Sequence, residues 1–432
     1  MPGTASEQSW PAAPHASSEV PQIQGEVLVG LDRWLYLHGG AHRQFAFLLS
    51  ERSPRPADVR SFWSNLESRA LYCRERRLPY LHVVFPSKPV VMTRFLPAPL
   101  RGQVQSLYRR SFLPAAPSGA ADRVFYPDEE LRALDATDRP FLETDTHLSD
   151  PGRALVAQAV LARWNLGYRL EDHFERGPGQ HQGDLSKMLG EEDPRPRIAL
   201  RDKGLDLRIH DNRQFLPGNA SNIMLVHSPR SVTPLRLAVI GDSFFRDCLR
   251  FLAPVFRDIL YLRGPGFHAE TLDRFAPHAV MSGNAEGYLD RVEPDCAVPD
   301  IRAVLTRASH YLPDDAFTAA LAAQLSRVEL SLPLDGTAPS GPSPEEALAL
   351  QQRVEKQEAE LARTAERLRV RDEAAQGLRQ RKDARIQALQ RQVEQRDKRL
   401  AEVESLLRQA EAGALRRMVG SLRRALGGLR RR

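Results

Sequence analysis

Leu235-Arg-Leu-Ala-Val-Ile-Gly-Asp-Ser-Phe-Phe245 decides how this chain is read. Leu235, Leu237, Val239 and Ile240 make a short apolar run of the kind buried in a central strand, and Gly241 opens a tight turn. From Phe245 the period changes. Cys248, Leu249, Leu252, Val255 and Phe256 fall at helical spacing. The segment therefore predicts strand, turn, helix, with Ser243 at the junction. A hydroxyl placed there is exposed, and the amides of the first helical turn point at whatever binds beside it. Nucleophilic catalysis needs that combination of an accessible Oγ and ready donors for an oxyanion. Taken alone, the same residues fit an ordinary βα turn in which Ser243 caps a helix.

Working outward, the upstream segments alternate in type. Gly25 to Leu37 predicts two short strands about a turn at 30–32, Arg60 to Arg76 a helix, and Tyr80-Leu-His-Val-Val-Phe85 an apolar strand. That order implies an α/β fold with a parallel sheet flanked by helices. Val124 to Tyr126 predicts another strand and Asp128 to Leu134 a helix; Asp150 or Ser149 caps a helix with Pro151 in its first turn. Residues 167–230 are polar and irregular, with short strands expected at Leu205–Ile209 and Ile223–Val226. Asp258 to Leu262 and His278 to Ser282 predict two more strands, and helical segments follow at Ile301–Leu305 and Phe317–Leu325.

Composition divides the chain. Residues 1–22 are rich in Pro, Ala and Ser and form a lead-in; 23–332 carry the α/β pattern; 333–344 are a Pro/Gly/Ser linker. In 345–412, Ile386, Leu389, Val393, Leu400, Val403 and Leu407 follow an a/d heptad, interrupted by Arg396, which predicts a coiled coil and a homo-oligomer. In 413–432, Leu415, Met418, Val419, Leu422, Leu426 and Leu429 make one apolar face beside seven arginines. That is an amphipathic helix suited to an anionic membrane surface. The formal charge of +6 resides in those arginines, so the body is no nucleic-acid surface. The start of the chain has no apolar secretory core, and the three cysteines have no metal-type spacing. The expectation is a cytoplasmic protein, peripheral at the inner face of the membrane, with no metal and no bound cofactor.

A nucleophilic serine needs a base, and the base needs an orienting carboxylate. Asp145-Thr-His147 supplies both, since residues i and i+2 of an extended segment share a face. Gly283-Asn284, at the end of the 278–282 strand, is equally consistent with an oxyanion donor and with a plain turn. Lys88 follows a Pro-ended strand and is placed either at the substrate cleft or in solvent.

These residues carry a resemblance. Gly241-Asp-Ser-Phe244 resembles the nucleophile block of the SGNH/GDSL hydrolases, and Asp145-Thr-His147 resembles the Asp-Thr-His motif of their alginate O-acetyltransferase-like branch. Further matches are Gly30-Leu-Asp-Arg-Trp-Leu-Tyr-Leu37, Val84-Phe-Pro-Ser-Lys88 and Gly183-Asp-Leu-Ser-Lys-Met-Leu-Gly190, in the branch's order across residues 25–310. Leu148 stands where the branch usually has Trp. The resemblance implies an O-acyltransferase, acetyl being the expected group, acting on a glycan through acylated Ser243, with His147 as base and Asp145 as its orienter. It also implies an oxyanion role for Gly283 and Asn284. The alternatives are a carbohydrate esterase with the same triad and a non-catalytic scaffold. The sequence identifies no acyl donor.

Overall fold

The computed structural model describes residues 21–40, 43–301, 304–305 and 311–325. The chain divides into two units, Met1–Ser331 and Leu332–Arg432, and every described residue belongs to the first. The linker, the coiled coil, the basic C-terminal helix and nearly all of the N-terminal lead-in lie outside the described residues. Among the described residues no helix is long and apolar enough to cross a membrane.

In chain order, β1 (Gln22–Gln24), β2 (Val27–Val29) and β3 (Leu35–Leu37) form a small antiparallel sheet, one strand more than the sequence predicts for this stretch. Then come α1 (Gln44–Leu48), α2 (Pro56–Glu75), β4 (Tyr80–Phe85), β5 (Val124–Phe125), α3 (Asp128–Leu134) and α4 (Asp150–Arg163). A two-stranded hairpin, β6 (Phe174–His181) with β7 (Arg195–Asp202), precedes β8 (Arg208–Asp211) and β9 (Ile223–His227). The segment around Ser243 gives β10 (Arg236–Gly241) and α5 (Ser243–Leu252); β11 (Asp258–Arg263), α6 (Ala269–Phe275), β12 (Ala279–Ala285) and α7 (Asp315–Leu325) follow.

The main sheet has seven strands in the order β5-β4-β12-β10-β11-β9-β8. It is mixed rather than parallel. The pairs from β5 to β11 are parallel, whereas β9 runs antiparallel to β11 and β8 antiparallel to β9. The reason lies in the connections. Residues 228–235 between β9 and β10 are too few for the helical crossover that a parallel neighbour requires. The same shortness forms the β8–β9 edge.

The central strand β10 is buried on both sides, which is why its sequence is continuously apolar. Leu237 and Val239 join the core under α4 and α5; Ala238 and Ile240 join the core under α2, α6 and α7. Ser149 caps α4 by accepting a hydrogen bond from Gly152 N at 3.2 Å, which settles the choice of cap. Gly152 itself must be glycine: a Cβ there would stand 2.2 Å from the Pro140 carbonyl oxygen.

Candidate active site

β10 ends at Gly241, and α5 begins at Ser243 with Asp242 as its cap; Asp242 Oδ1 accepts a hydrogen bond from Phe244 N at 3.0 Å. Asp242 Oδ2 accepts one from Ala285 N at 2.6 Å, tying the turn to the end of β12. Asp242 is thus a turn carboxylate. Register pairs Gly241 with Gly283, so Gly283 and Asn284 stand beside the turn that carries Ser243. Both glycines answer to close approach: a Cβ on Gly241 would lie 2.6 Å from Gly283 O, and one on Gly283 would lie 2.2 Å from Val83 O. Asn284 Nδ2 donates to Ala285 O at 2.9 Å, leaving its second N–H for another acceptor.

Asp145 and His147 sit in the loop between α3 and α4. The loop is pinched at its base, where Leu142 N donates to His147 O at 3.2 Å and Ser149 N to Pro140 O at 2.9 Å. His147 Nδ1 lies 2.7 Å from Asp145 Oδ1, and His147 Nε2 lies 2.9 Å from Ser243 Oγ. The Asp and His meet by a route other than the extended segment the sequence predicts. Asp145 Oδ1 also accepts His147 N at 2.9 Å, an Asx turn that folds the side chain back over the backbone two residues on. The distances fit the tautomer with the proton on Nδ1, held by Asp145, and a lone pair on Nε2 facing the serine hydroxyl.

The other oxygen of Asp145 is occupied too. Oδ2 accepts His181 Nε2 at 2.7 Å and Asp184 N at 3.1 Å. Burial alone would raise the Asp145 pKa; hydrogen bonds from His147 and His181 instead hold it far below the usual carboxylate range. Burial would lower the His147 pKa, but the hydrogen bond and charge of Asp145 outweigh it and the pKa is raised. Asp184 holds the loop from the other side: its Oδ1 accepts Thr146 N at 2.9 Å and its Oδ2 accepts Thr146 Oγ1 at 2.6 Å.

Asp145, His147 and Asp184 present oxygen and nitrogen atoms within 4.8 Å of one another, the spacing of a metal cluster. Those atoms are already used. Both Asp145 oxygens accept hydrogen bonds and His147 Nδ1 faces Asp145, so a cation would have to break the arrangement it joined.

Lys88 is neither at a cleft nor in solvent. It is 5% exposed, and Nζ donates to the carbonyls of Leu35 at 2.7 Å, Leu142 at 2.6 Å, Glu143 at 2.8 Å and Asp145 at 2.9 Å. The rings of Trp34 and Tyr36 flank it at 4.9 and 5.3 Å. Burial pushes its pKa down to about 7, while the charges of Asp145, Asp184 and Glu143 oppose the shift. Its place is beneath the loop that carries Asp145, as an anchor between that loop and β3.

The motifs that look separate in the sequence therefore meet in one place. Leu35 N donates to Glu143 O at 2.9 Å, Lys88 reaches the same carbonyl, and Leu185 N donates to Thr144 O at 3.1 Å. Gly183 passes so close that a Cβ would stand 1.8 Å from Thr144 O. Leu148 is 1% exposed and belongs to the core, so it packs inward rather than facing a substrate. His181 escapes sequence reading because it lies in a polar Gly/Pro stretch with no alternation; its only signal is closeness to the Gly183–Gly190 motif.

No protein family and no curated protein matches the chain. Solved structures similar to it include PatB1 of Bacillus cereus with a sulfonyl adduct, at 13% identity over 62% of this chain and 97% of that one, TM-score 0.47. A DHHW family protein from Eubacterium siraeum is 12% identical over 63% of this chain and 94% of that one, TM-score 0.44. The chain is also similar to the O-acetyltransferase domain of Pseudomonas putida AlgJ, at 19% identity over 63% and 95% of the two chains, TM-score 0.37.

Proposed function

We propose that the chain is an O-acyltransferase that carries an acyl group on Ser243 and passes it to a hydroxyl of a glycan. The observation that carries the reading is His147, hydrogen-bonded to Asp145 at 2.7 Å on one ring nitrogen and to Ser243 at 2.9 Å on the other. In the first half-reaction His147 Nε2 takes the Oγ proton as Oγ bonds to the acyl carbon. The donor's leaving group departs with that proton. In the second, an acceptor hydroxyl gives its proton to Nε2 while its oxygen bonds to the acyl carbon, and the Oγ–C bond breaks as the proton returns to Oγ. Asp145 stays ionised throughout and stabilises the transient imidazolium. Developing negative charge would meet the Ser243 amide at the start of α5 and the side-chain amide of Asn284.

The glycan acceptor and the acetyl group rest on the motif resemblance. Hydrolysis is the same chemistry with water as acceptor. The test is to incubate the full chain with p-nitrophenyl acetate, with and without an oligosaccharide, and to follow both nitrophenol and acetylated sugar by mass spectrometry. Acetylated sugar that disappears in Ser243→Ala supports transfer. Acetate alone in both conditions makes the chain an esterase, and turnover unchanged in Ser243→Ala refutes the nucleophile.

A further inference from the structure

At the carboxyl end of the main sheet, between α2 and the ends of β10 and β12, lies a cavity of about 600 Å³. Its wall includes Gly241 and Asp242, the two residues before Ser243, and Gly283 and Asn284 opposite them. An acetyl group needs only a small part of such a space. At roughly 30 Å³ per water, the volume equals about twenty waters. It falls instead within the range of sites for ligands of many heavy atoms, roughly 300–1,000 Å³.

The lining is apolar where it matters. Phe62 and Leu66 from α2, Ile240 from β10, and Val292, Val298 and Ile301 face the space. Several of the polar side chains around it are committed within the protein. Arg69 binds Asp295 through two nitrogens, at 2.8 and 2.6 Å, and Pro265 O at 2.6 Å. Asn65 donates to Glu293 O and accepts from Asp295 N, each at 2.9 Å. His268 Nδ1 accepts Ile301 N at 3.2 Å. His82 shares Nδ1 with Ser282 Oγ at 2.9 Å, and burial holds it neutral, its pKa well below the ordinary value. His82 Nε2 is buried without a partner among the described residues, and Arg263 also lines the space. The apolar stretch from Phe62 and Leu66 to Val298 and Ile301 is nevertheless the part whose hydration is costly, and an aliphatic chain is the ligand that removes that cost.

The geometry points to this cavity as the seat of an acyl chain longer than acetyl, so that the enzyme's donor is an ester or thioester of a medium-length aliphatic acid. The inference rests on Ser243 being the acylated residue. When Oγ bonds to the acyl carbon and the leaving group departs with the proton from His147, the carbonyl oxygen lies toward the Ser243 amide and Asn284. The chain then extends past Asp242 and Asn284 into the chamber.

The test compares p-nitrophenyl acetate, butyrate, hexanoate and octanoate on the full chain, and repeats the series on Val298→Trp, which fills the chamber from a partly exposed loop. Labelling of Ser243 by a fluorophosphonate is measured on both proteins. The wild type should prefer hexanoate or octanoate to acetate in kcat/KM. Val298→Trp should lose the long esters by about tenfold or more, the scale of a lost methylene contact, with acetate turnover and labelling unchanged. Val292→Phe, on a different part of the wall, should repeat the shift and guards against misfolding of the first variant. An octanoate-to-acetate ratio unchanged in both variants, with labelling intact, overturns the chamber and leaves the nucleophile standing. Loss of Ser243 labelling in the wild type overturns the nucleophile first.

Discussion

Replacing Lys88 by Met keeps the length of the side chain against Trp34 and Tyr36 and removes the charge. What is lost can be worked from the contacts. The three N–H groups of the ammonium are shared among four carbonyl oxygens at 2.6–2.9 Å, and the group is almost entirely buried. A neutral amine has two N–H groups and would turn its lone pair toward an oxygen, which opposes the burial that pushes the pKa down to about 7. Removing the ammonium leaves buried carbonyls without their donor, at about 1–3 kcal/mol for each left unsatisfied. Three of the four carbonyls, Leu142, Glu143 and Asp145, belong to the loop that holds His147 against Ser243. Freed from Lys88, that loop should shift, and a displacement of about 1 Å at reacting atoms costs on the order of a hundredfold in rate. Urea unfolding followed by Trp fluorescence reads the stability, and p-nitrophenyl ester turnover reads kcat and KM separately. We expect kcat to fall with KM nearly constant. Lys88→Arg should not rescue it, because a planar fork cannot replace a compact ammonium among converging carbonyls. A Met variant with wild-type kcat and a stability loss below about 1 kcal/mol would refute the anchoring role.

Other outcomes follow from the same geometry. kcat/KM should fall on the acid side with an apparent pKa above about 6.5, because His147 must be neutral to accept the serine proton and its pKa is raised; a limb below that value contradicts the assigned base. The same shift has a stability consequence: the folded state binds this proton more tightly, so the increment is present below about pH 6.5 and fades as pH rises through the folded value. Asp145→Asn should lower kcat by about 10⁴ by favouring the wrong His147 tautomer, with near-UV circular dichroism unchanged; a loss of tenfold or less would remove Asp145 from the triad. Truncation after Leu332 should leave ester turnover intact while abolishing self-association in light scattering and co-sedimentation with anionic vesicles, as the heptads and the arginine-lined apolar face imply; equal vesicle binding by both forms would refute the membrane role of the tail.

The strand, turn and helix around Ser243 are legible because the segment is buried on both faces and then changes period at one glycine. The helix at Asp150 is legible for a similar reason: Ser149 and Pro151 carry start signals that act locally. The β6–β7 hairpin is not. Its strands alternate Gly, Pro, Arg and Glu, and pairing comes from backbone bonds that leave no trace in hydrophobic pattern. His181 goes unread with it. The mixed direction of the sheet follows from the short 228–235 connection, but that β9 pairs with β11 is a long-range choice that propensity does not encode. Lys88 is misplaced on the general rule that lysine stays in water, a rule broken here only because backbone carbonyls from two distant segments converge on it.

Acylation of Ser243 is the step on which the proposed chemistry depends. Mixing the full chain with p-nitrophenyl acetate, quenching in acid within the first turnover and mapping the peptides by mass spectrometry tests it directly. One acetyl group should appear on the peptide containing Ser243, in step with a burst of nitrophenol, and neither should appear in Ser243→Ala or His147→Ala. A burst with the acetyl group on another residue, or turnover with Ser243 never modified, would contradict it.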